Sequence, residues 1–298
     1  MFEKLIKWSK ANHNDLPWRE NRTLYTTLVS EIMLQQTTVS TVLNHYERFL
    51  QKYPTLESLA QDSEDNLTIE WKGLGYYRRA RNLKRACEEI KNNFDGKVPL
   101  DYNDLVGING IGEYTANAII AIGANKRALA IDANLERVIS RIYGIKELKG
   151  KKLQDKIKQL FASSKICQEI DELGAREFNE ALMDLGREFC KANKTYCEVC
   201  PMNRNCYSIE SGDPLALPIK EQEKKIMKYF DLKLLRLIVE ENGKILTYKK
   251  AKNEWLSNQF EIPSFTILSE DILLNQYPKI PIQFDYELYL LFLSDLEF

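Results

Sequence analysis

In the stretch TLVSEIMLQQT, Thr27–Thr37, Glu31 is the only charged residue. On a helix its neighbours at minus seven, minus four, minus three and plus three are Leu24, Thr27, Leu28 and Leu34. A carboxylate on that apolar face loses hydration and keeps its proton towards neutral pH; pairing with Arg19 or Arg22 is the structural alternative. A second acid, Asp132, precedes a helical face of Leu135, Val138, Ile139 and Ile142, so it occupies an N-cap position. Capping alone would account for it, but the helix amides and dipole are also expected to hold it ionised, with a low pKa. A protonated acid beside an anion is the division of labour that protonates a leaving group and stabilises a developing cation. Glycosidic cleavage is the reaction class that uses such a pair.

Four of the six cysteines, Cys190, Cys197, Cys200 and Cys206, fall within seventeen residues. In a reducing compartment this clustering points to metal ligation rather than to disulfides. Four thiolates suit a structural zinc ion or an iron–sulfur cluster; a single close pair, Cys197 and Cys200, with longer reaches on either side favours a cubane cluster. Cys87 and Cys167 read as packing residues.

The stretch LVGINGIGEYTANAIIAIG sets Gly107, Gly110 and Gly112 before an alanine- and isoleucine-rich helix. Such glycines allow positive φ and close backbone approach, and the free amides of the following helix suit a phosphate; an ordinary tight turn is the plainer reading. The run YYRRARNLKRA, Tyr76–Ala86, carries Arg78, Arg79, Arg81, Lys84 and Arg85 beside two tyrosines. It is a candidate nucleic-acid surface, although a solvated helix face is the commoner fate of such runs. Any such surface is local, because 42 Lys and Arg nearly balance 43 Asp and Glu.

These residues need elements to carry them, and up to Cys206 the chain reads as helix after helix. Val39, Val42, Leu43, Tyr46, Phe49 and Leu50 form one helical face, closed by Pro54. Further helices are predicted over 63–71, 76–92, 113–122, 133–143, 151–163 and 178–189. From Ser211 two prolines and then charge mark a linker, 211–228. Beyond it Asn242-Gly243 between two apolar runs predicts a hairpin. The start MFEKLIKWSK shows no secretory pattern and no run reaches the length of a membrane span, so a cytoplasmic protein is expected.

The joint pattern resembles the helix-hairpin-helix DNA glycosylases related to endonuclease III, most closely their adenine-specific MutY branch. The matching blocks are LPWR (Leu16–Arg19), SEIMLQQT (Ser30–Thr37), GLGYYRRARNL (Gly73–Leu83), GINGIGEYTANAI (Gly107–Ile119), IDANLERV (Ile131–Val138), ALMDLG (Ala181–Gly186) and the four cysteines. The resemblance implies a mainly α fold: a six-helix barrel with the hairpin over 23–123, and an iron–sulfur cluster subdomain from 1–22 and 124–210. A short, incomplete α/β Nudix-like C-terminal region over 229–298 is implied by WLSNQFEIP, Trp255–Pro263, although no Phe-Ser-His-type loop follows. It further implies one 4Fe-4S cluster on Cys190, Cys197, Cys200 and Cys206, and a monomer acting on double-stranded DNA with a mismatched or oxidised base pair.

The resemblance also assigns roles. Glu31 becomes the general acid at adenine N7, and Asp132 either stabilises the oxocarbenium-like sugar or adds to it covalently before water arrives, with Tyr114 and Asn134 orienting sugar and acid. Trp18, Arg19 and Asp184 line the base pocket, Gln36 and Tyr76 fill or wedge the vacated stack, and Gly110 and Gly112 meet phosphate. Strand-nicking relatives carry lysine where this chain has Tyr114, so base removal without efficient strand cleavage is expected. Two departures stand out: Ile108-Asn109 replaces Leu-Pro in the hairpin, and Ala133 replaces glycine after Asp132, as in thymine glycosylases acting on mismatches with guanine. Thymine or uracil removal is thus the rival activity; a catalytically silent DNA-binding protein and a zinc-stabilised adaptor are the rivals outside it.

Overall fold

The computed structural model describes residues 1–163, 165–219, 233–250 and 260–267. The chain divides into two units, Met1–Gln222 and Glu223–Phe298. Residues 220–228 of the predicted linker, and Trp255–Gln259 of WLSNQFEIP, lie outside the described residues.

The first unit is helical: α1 (Glu3–His13), α2 (Pro17–Glu20), α3 (Leu24–Leu34), α4 (Val39–Lys52), α5 (Leu56–Gln61), α6 (Glu64–Glu70), α7 (Arg78–Asn93), α8 (Tyr102–Gly107), α9 (Glu113–Ala118), α10 (Ala133–Tyr143), α11 (Lys151–Ser163), α12 (Lys165–Leu173), α13 (Ala175–Glu188) and α14 (Tyr207–Glu210). Their starts are written in side-chain chemistry. Thr23, Thr38, Thr55, Ser63, Asp101 and Asp132 each accept a first-turn amide, satisfying donors the helix leaves free. Thr23 and Thr26 exchange side-chain and backbone bonds in both directions, a capping box that fixes the start of α3.

Helix α3 is uncharged except for Glu31 and is buried along most of its length, with α4, α7 and α9 packed around it. The α4 face is narrower than its apolar pattern implies: Val42, Tyr46 and Phe49 are buried, whereas Leu43 is 40% exposed. In a second grouping α1 and α10 pack on α13, and one continuous apolar core runs through both groups. After α9 the chain continues as a single π turn, Ile119–Gly123, which α13 covers. Among the described residues no helix is long and apolar enough to cross a membrane.

The second unit contains short antiparallel pairs. Strand β1 (Lys233–Arg236) pairs with β6 (Ser264–Ile267), β2 (Glu240–Glu241) with β3 (Lys244–Ile245), and β4 (Tyr248–Lys249) with β5 (Phe260–Glu261). The hairpin turn falls on Asn242 and Gly243, both at positive φ, 52° and 76°, as a turn matching strand twist requires.

Candidate active site

Glu31 sits on the buried face of α3 with 6% of its surface exposed. Among the described residues no cation pairs with it. Arg19 instead donates to both oxygens of Asp184, at 3.0 and 3.2 Å, and Arg22 to Oε1 of Glu180 at 2.6 Å, so the alternative ion pair is not formed. The hydrogen bond Glu31 receives comes from the hydroxyl of Tyr114 on α9, 2.5 Å from Oε2. Burial pushes Glu31 up to about 7; the Tyr114 bond opposes that shift, and the nearby Asp132 charge adds to it. Burial and the Glu31 charge in turn hold the Tyr114 phenol well above its ordinary range.

Asp132 caps α10 as its position predicts. Its Oδ1 accepts the amides of Asn134 and Leu135 at 2.9 and 2.8 Å, and its Oδ2 accepts the Asn134 side-chain amide at 2.9 Å. The amide orientation is fixed by chemistry: Arg137, which can only donate, binds Oδ1 of Asn134 at 2.7 Å, leaving the NH2 group facing Asp132. The expected low pKa is not found. Burial raises the Asp132 carboxyl, and the three donors and the Arg137 charge only oppose the rise. Among the described residues three donors serve Asp132 against one for Glu31, and Glu31 is the more deeply buried of the two.

A cavity of about 340 Å³ has Arg19, Arg22, Arg176 and Glu180 in its lining; Glu31, Tyr114 and Asp132 do not line it, although Glu180 and Arg22 act on the Glu31 charge. Arg19 borders this space. Asp184 sits behind it, 2% exposed, with its oxygens taken by Ser9, Arg19 and Arg187. Trp18 is buried and packs edge-on against Tyr46, ring centroids 5.6 Å apart. Sequence reading missed Glu180; its spacing of four from Asp184 on α13 was the available signal.

Gln36 and Tyr76 are exposed loop residues, both at positive φ, 54° and 46°. Their loops touch where the Thr37 hydroxyl meets the Leu74 carbonyl. In the hairpin, Gly110 has φ of 93°, and a Cβ there would lie 2.7 Å from the Asn82 carbonyl on α7. Gly112 caps α9. The Asn109 departure has a local cause: its backbone N–H and side-chain amide both donate to Glu89 on α7, at 3.0 and 3.2 Å, and a proline could not make the first bond.

The run Tyr76–Ala86 is not a continuous cationic surface. Arg79 is buried, Arg81 pairs with Glu64, and Lys84 binds Glu88 and the Ala60 carbonyl. Only Arg78 and Arg85 of its cations are exposed.

Cys190, Cys197, Cys200 and Cys206 line one largely apolar cavity with Arg141, Leu185, Phe189 and Met202, and all four are free thiols. Burial pushes Cys200 up to about 12 and raises Cys206. Arg141, 2% exposed, donates to Sγ of Cys190 at 3.3 Å. Among the described residues no three His, Cys, Asp or Glu side chains converge as ligands of a single metal ion.

Residues 29–163 match the signature of the HhH-GPD superfamily base excision DNA repair proteins. The adenine DNA glycosylase of Buchnera aphidicola subsp. Schizaphis graminum is 31% identical, over 89% of this chain and 75% of its own. The thymine/uracil-DNA glycosylase of Pyrobaculum aerophilum is 34% identical, over 68% of this chain and 88% of its own. A solved thermostable thymine-DNA glycosylase superposes with a TM-score of 0.56 at 29% identity, covering 70% of this chain and 94% of that one. The chain therefore belongs to the HhH-GPD superfamily of base excision DNA repair proteins and is a DNA glycosylase.

Proposed function

We propose that this enzyme removes adenine mispaired with 8-oxoguanine or guanine, by hydrolysis of the N-glycosidic bond and without efficient strand cleavage. The observation that carries the reading is the buried Glu31, bonded to Tyr114, unpaired with any cation among the described residues, and raised further by the charge of a multiply hydrogen-bonded Asp132. The target base must leave the stack before its glycosidic bond is reachable. Glu31, kept protonated by burial, delivers its proton to adenine N7 and turns the base into a leaving group. Asp132, braced by Asn134 and Arg137, faces the cationic sugar until water adds. Tyr114 in place of a lysine offers no amine to attack the sugar, so strand breaks should appear only after alkali treatment. The substrate is double-stranded DNA, met by a monomer in the cytoplasm.

Cys190, Cys197, Cys200 and Cys206 line one apolar cavity, and their spacing, a single close pair with longer reaches on either side, favours a 4Fe-4S cluster over a single zinc ion. Arg141 would offset part of the thiolate charge at Cys190. When bound, such a cluster supplies a rigid cross-link between the end of α13 and the loop that follows it. A second reading, thymine or uracil removal opposite guanine, draws on Ala133 and on the Pyrobaculum relative.

The test is a single-turnover assay on duplexes holding A opposite 8-oxoguanine, A opposite G and T opposite G, with Glu31→Gln and Asp132→Asn as controls. Excision of A that both substitutions abolish is the expected result. Preferential excision of T would replace this reading with the second, and an Asp132→Asn enzyme as fast as the parent would overturn the mechanism.

A further inference from the structure

Arg79 is a buried cation, 8% exposed, with no carboxylate partner among the described residues. Both Nη atoms meet acceptors instead, while the buried Nε has no hydrogen-bond partner among the described residues. Nη1 donates to the carbonyls of Ile32 and Met33, both at 2.9 Å, and to that of Gln35. These are carbonyls at the C-terminal end of α3, which the helix itself leaves unpaired. Nη2 donates to the Thr37 hydroxyl at 2.8 Å and to the carbonyls of Leu74 and Gly75 at 2.9 and 3.3 Å.

These acceptors fall at two places in the chain. Gln35 and Thr37 flank Gln36, and Leu74 and Gly75 directly precede Tyr76. Both tip residues hold left-handed backbone conformations that side chains of this size enter only when their surroundings impose them. The guanidinium also lies 5.6 Å from the ring centroids of Tyr76 and Trp71. A lysine has three donors converging on one point and could not hold two loops in a fixed relation; the planar fork of arginine can.

We propose that Arg79 is a positioning residue that locks the Gln36 and Tyr76 loops to one another, so that both tips enter the gap left by an extruded nucleotide as one rigid wedge. The inference rests on the proposed function and on the stack-filling role that the family resemblance implies for Gln36 and Tyr76. Helix α7 widens the effect. It presses Asn82 against Gly110 and holds Asn109 through Glu89, so residues 79, 82 and 89, at helical spacing, index both wedge loops and the hairpin to one strut.

A wedge matters for drawing a stacked base out and is dispensable for one already unstacked, and this difference provides the test. Single-turnover excision would be measured on a fully paired mismatch duplex and on a duplex in which the same target nucleotide sits in a three-nucleotide bulge. For Arg79→Met the rate on the paired duplex should fall about a hundredfold, the scale of a misplaced supporting group. On the bulged duplex it should stay within about threefold of the parent. Arg79→Lys should fall between the two, and Thr37→Val, which removes one acceptor, should show the same selectivity on a smaller scale. These milder variants carry the test if Arg79→Met does not fold. Leu59→Ala, in α5 packed against α7, loosens the same helix without touching the loops and should slow both duplexes alike. Equal losses on both duplexes for all the Arg79 and Thr37 variants would overturn the inference alone. A parent enzyme without excision on either duplex would overturn the proposed function, and this inference with it.

Discussion

Replacing Glu31 by glutamine should strengthen the fold, and more so as the pH rises. The Glu31 carboxyl lies at about 7 in the folded protein against an ordinary 4.5. A group raised in this way binds its proton more tightly when folded, so stability is greatest below about 4.5, declines as pH rises, and is fully lost above about 7. Between pH 5 and pH 8 that displacement amounts to about 2.5 kcal/mol of stability forgone to hold a buried acid. Glutamine cannot ionise. Its own packing and hydrogen-bond costs are nearly the same at both pH values, so the change in its advantage between them isolates the ionisation cost. For a unit of this size about 2.5 kcal/mol corresponds to about 5–10 °C in Tm. The assay is thermal unfolding of parent and Glu31→Gln at pH 5 and pH 8, at one scan rate and one ionic strength. A Tm difference between the two proteins that is the same at both pH values would refute the claim that burial raises this carboxyl.

The same acid should shape the reaction. Excision should slow as pH rises above about 7, and Tyr114→Phe, which removes the bond favouring the anion, should move that limb up by about one pH unit; an unmoved limb in single-turnover rates from pH 5 to 9 would count against the Tyr114–Glu31 bond. Gly110→Ala combines a φ of 93° with a Cβ 2.7 Å from the Asn82 carbonyl; a loss of about 2–4 kcal/mol and weaker duplex binding are expected, and a Tm equal to the parent's would refute the close approach. Cys200→Ser should abolish iron binding, read by iron and acid-labile sulfide analysis of anaerobically purified protein, and full iron content in that variant would remove Cys200 from the ligand set.

Much of this site was legible from local sequence. Glu31 could be picked out because helical periodicity alone surrounds it with leucines, and Asp132 because an apolar face begins three residues after it. The Asn242-Gly243 turn followed from backbone chemistry that few other residue pairs allow. What stayed hidden is decided between elements far apart in the chain. The direction of the Asp132 shift depends on how much of the fold covers the α10 terminus, which no N-cap rule contains. In the basic run the residue types say nothing of which cation turns inward, so Arg79 looked like its neighbours until α3 and the 73–76 loop were in place. Leu43 belongs to an apolar pattern, yet it stays 40% exposed among the described residues.

The arginines nearest Glu31 show why a long-range arrangement is needed to make an acid. A cation beside Glu31 would hold its carboxyl ionised, and the sequence supplies two within reach, Arg19 and Arg22. Each is instead paired with a carboxylate on α13: Arg19 forks onto Asp184, and Arg22 binds Glu180. At Glu31 the Glu180 and Arg22 charges act in opposite directions, which leaves burial as the dominant influence. Asp184 and Glu180 thus do more than line or support a pocket. By occupying the arginines they leave burial free to raise the Glu31 carboxyl to about 7, and they can do so only because α13 packs in the same core as α2 and α3.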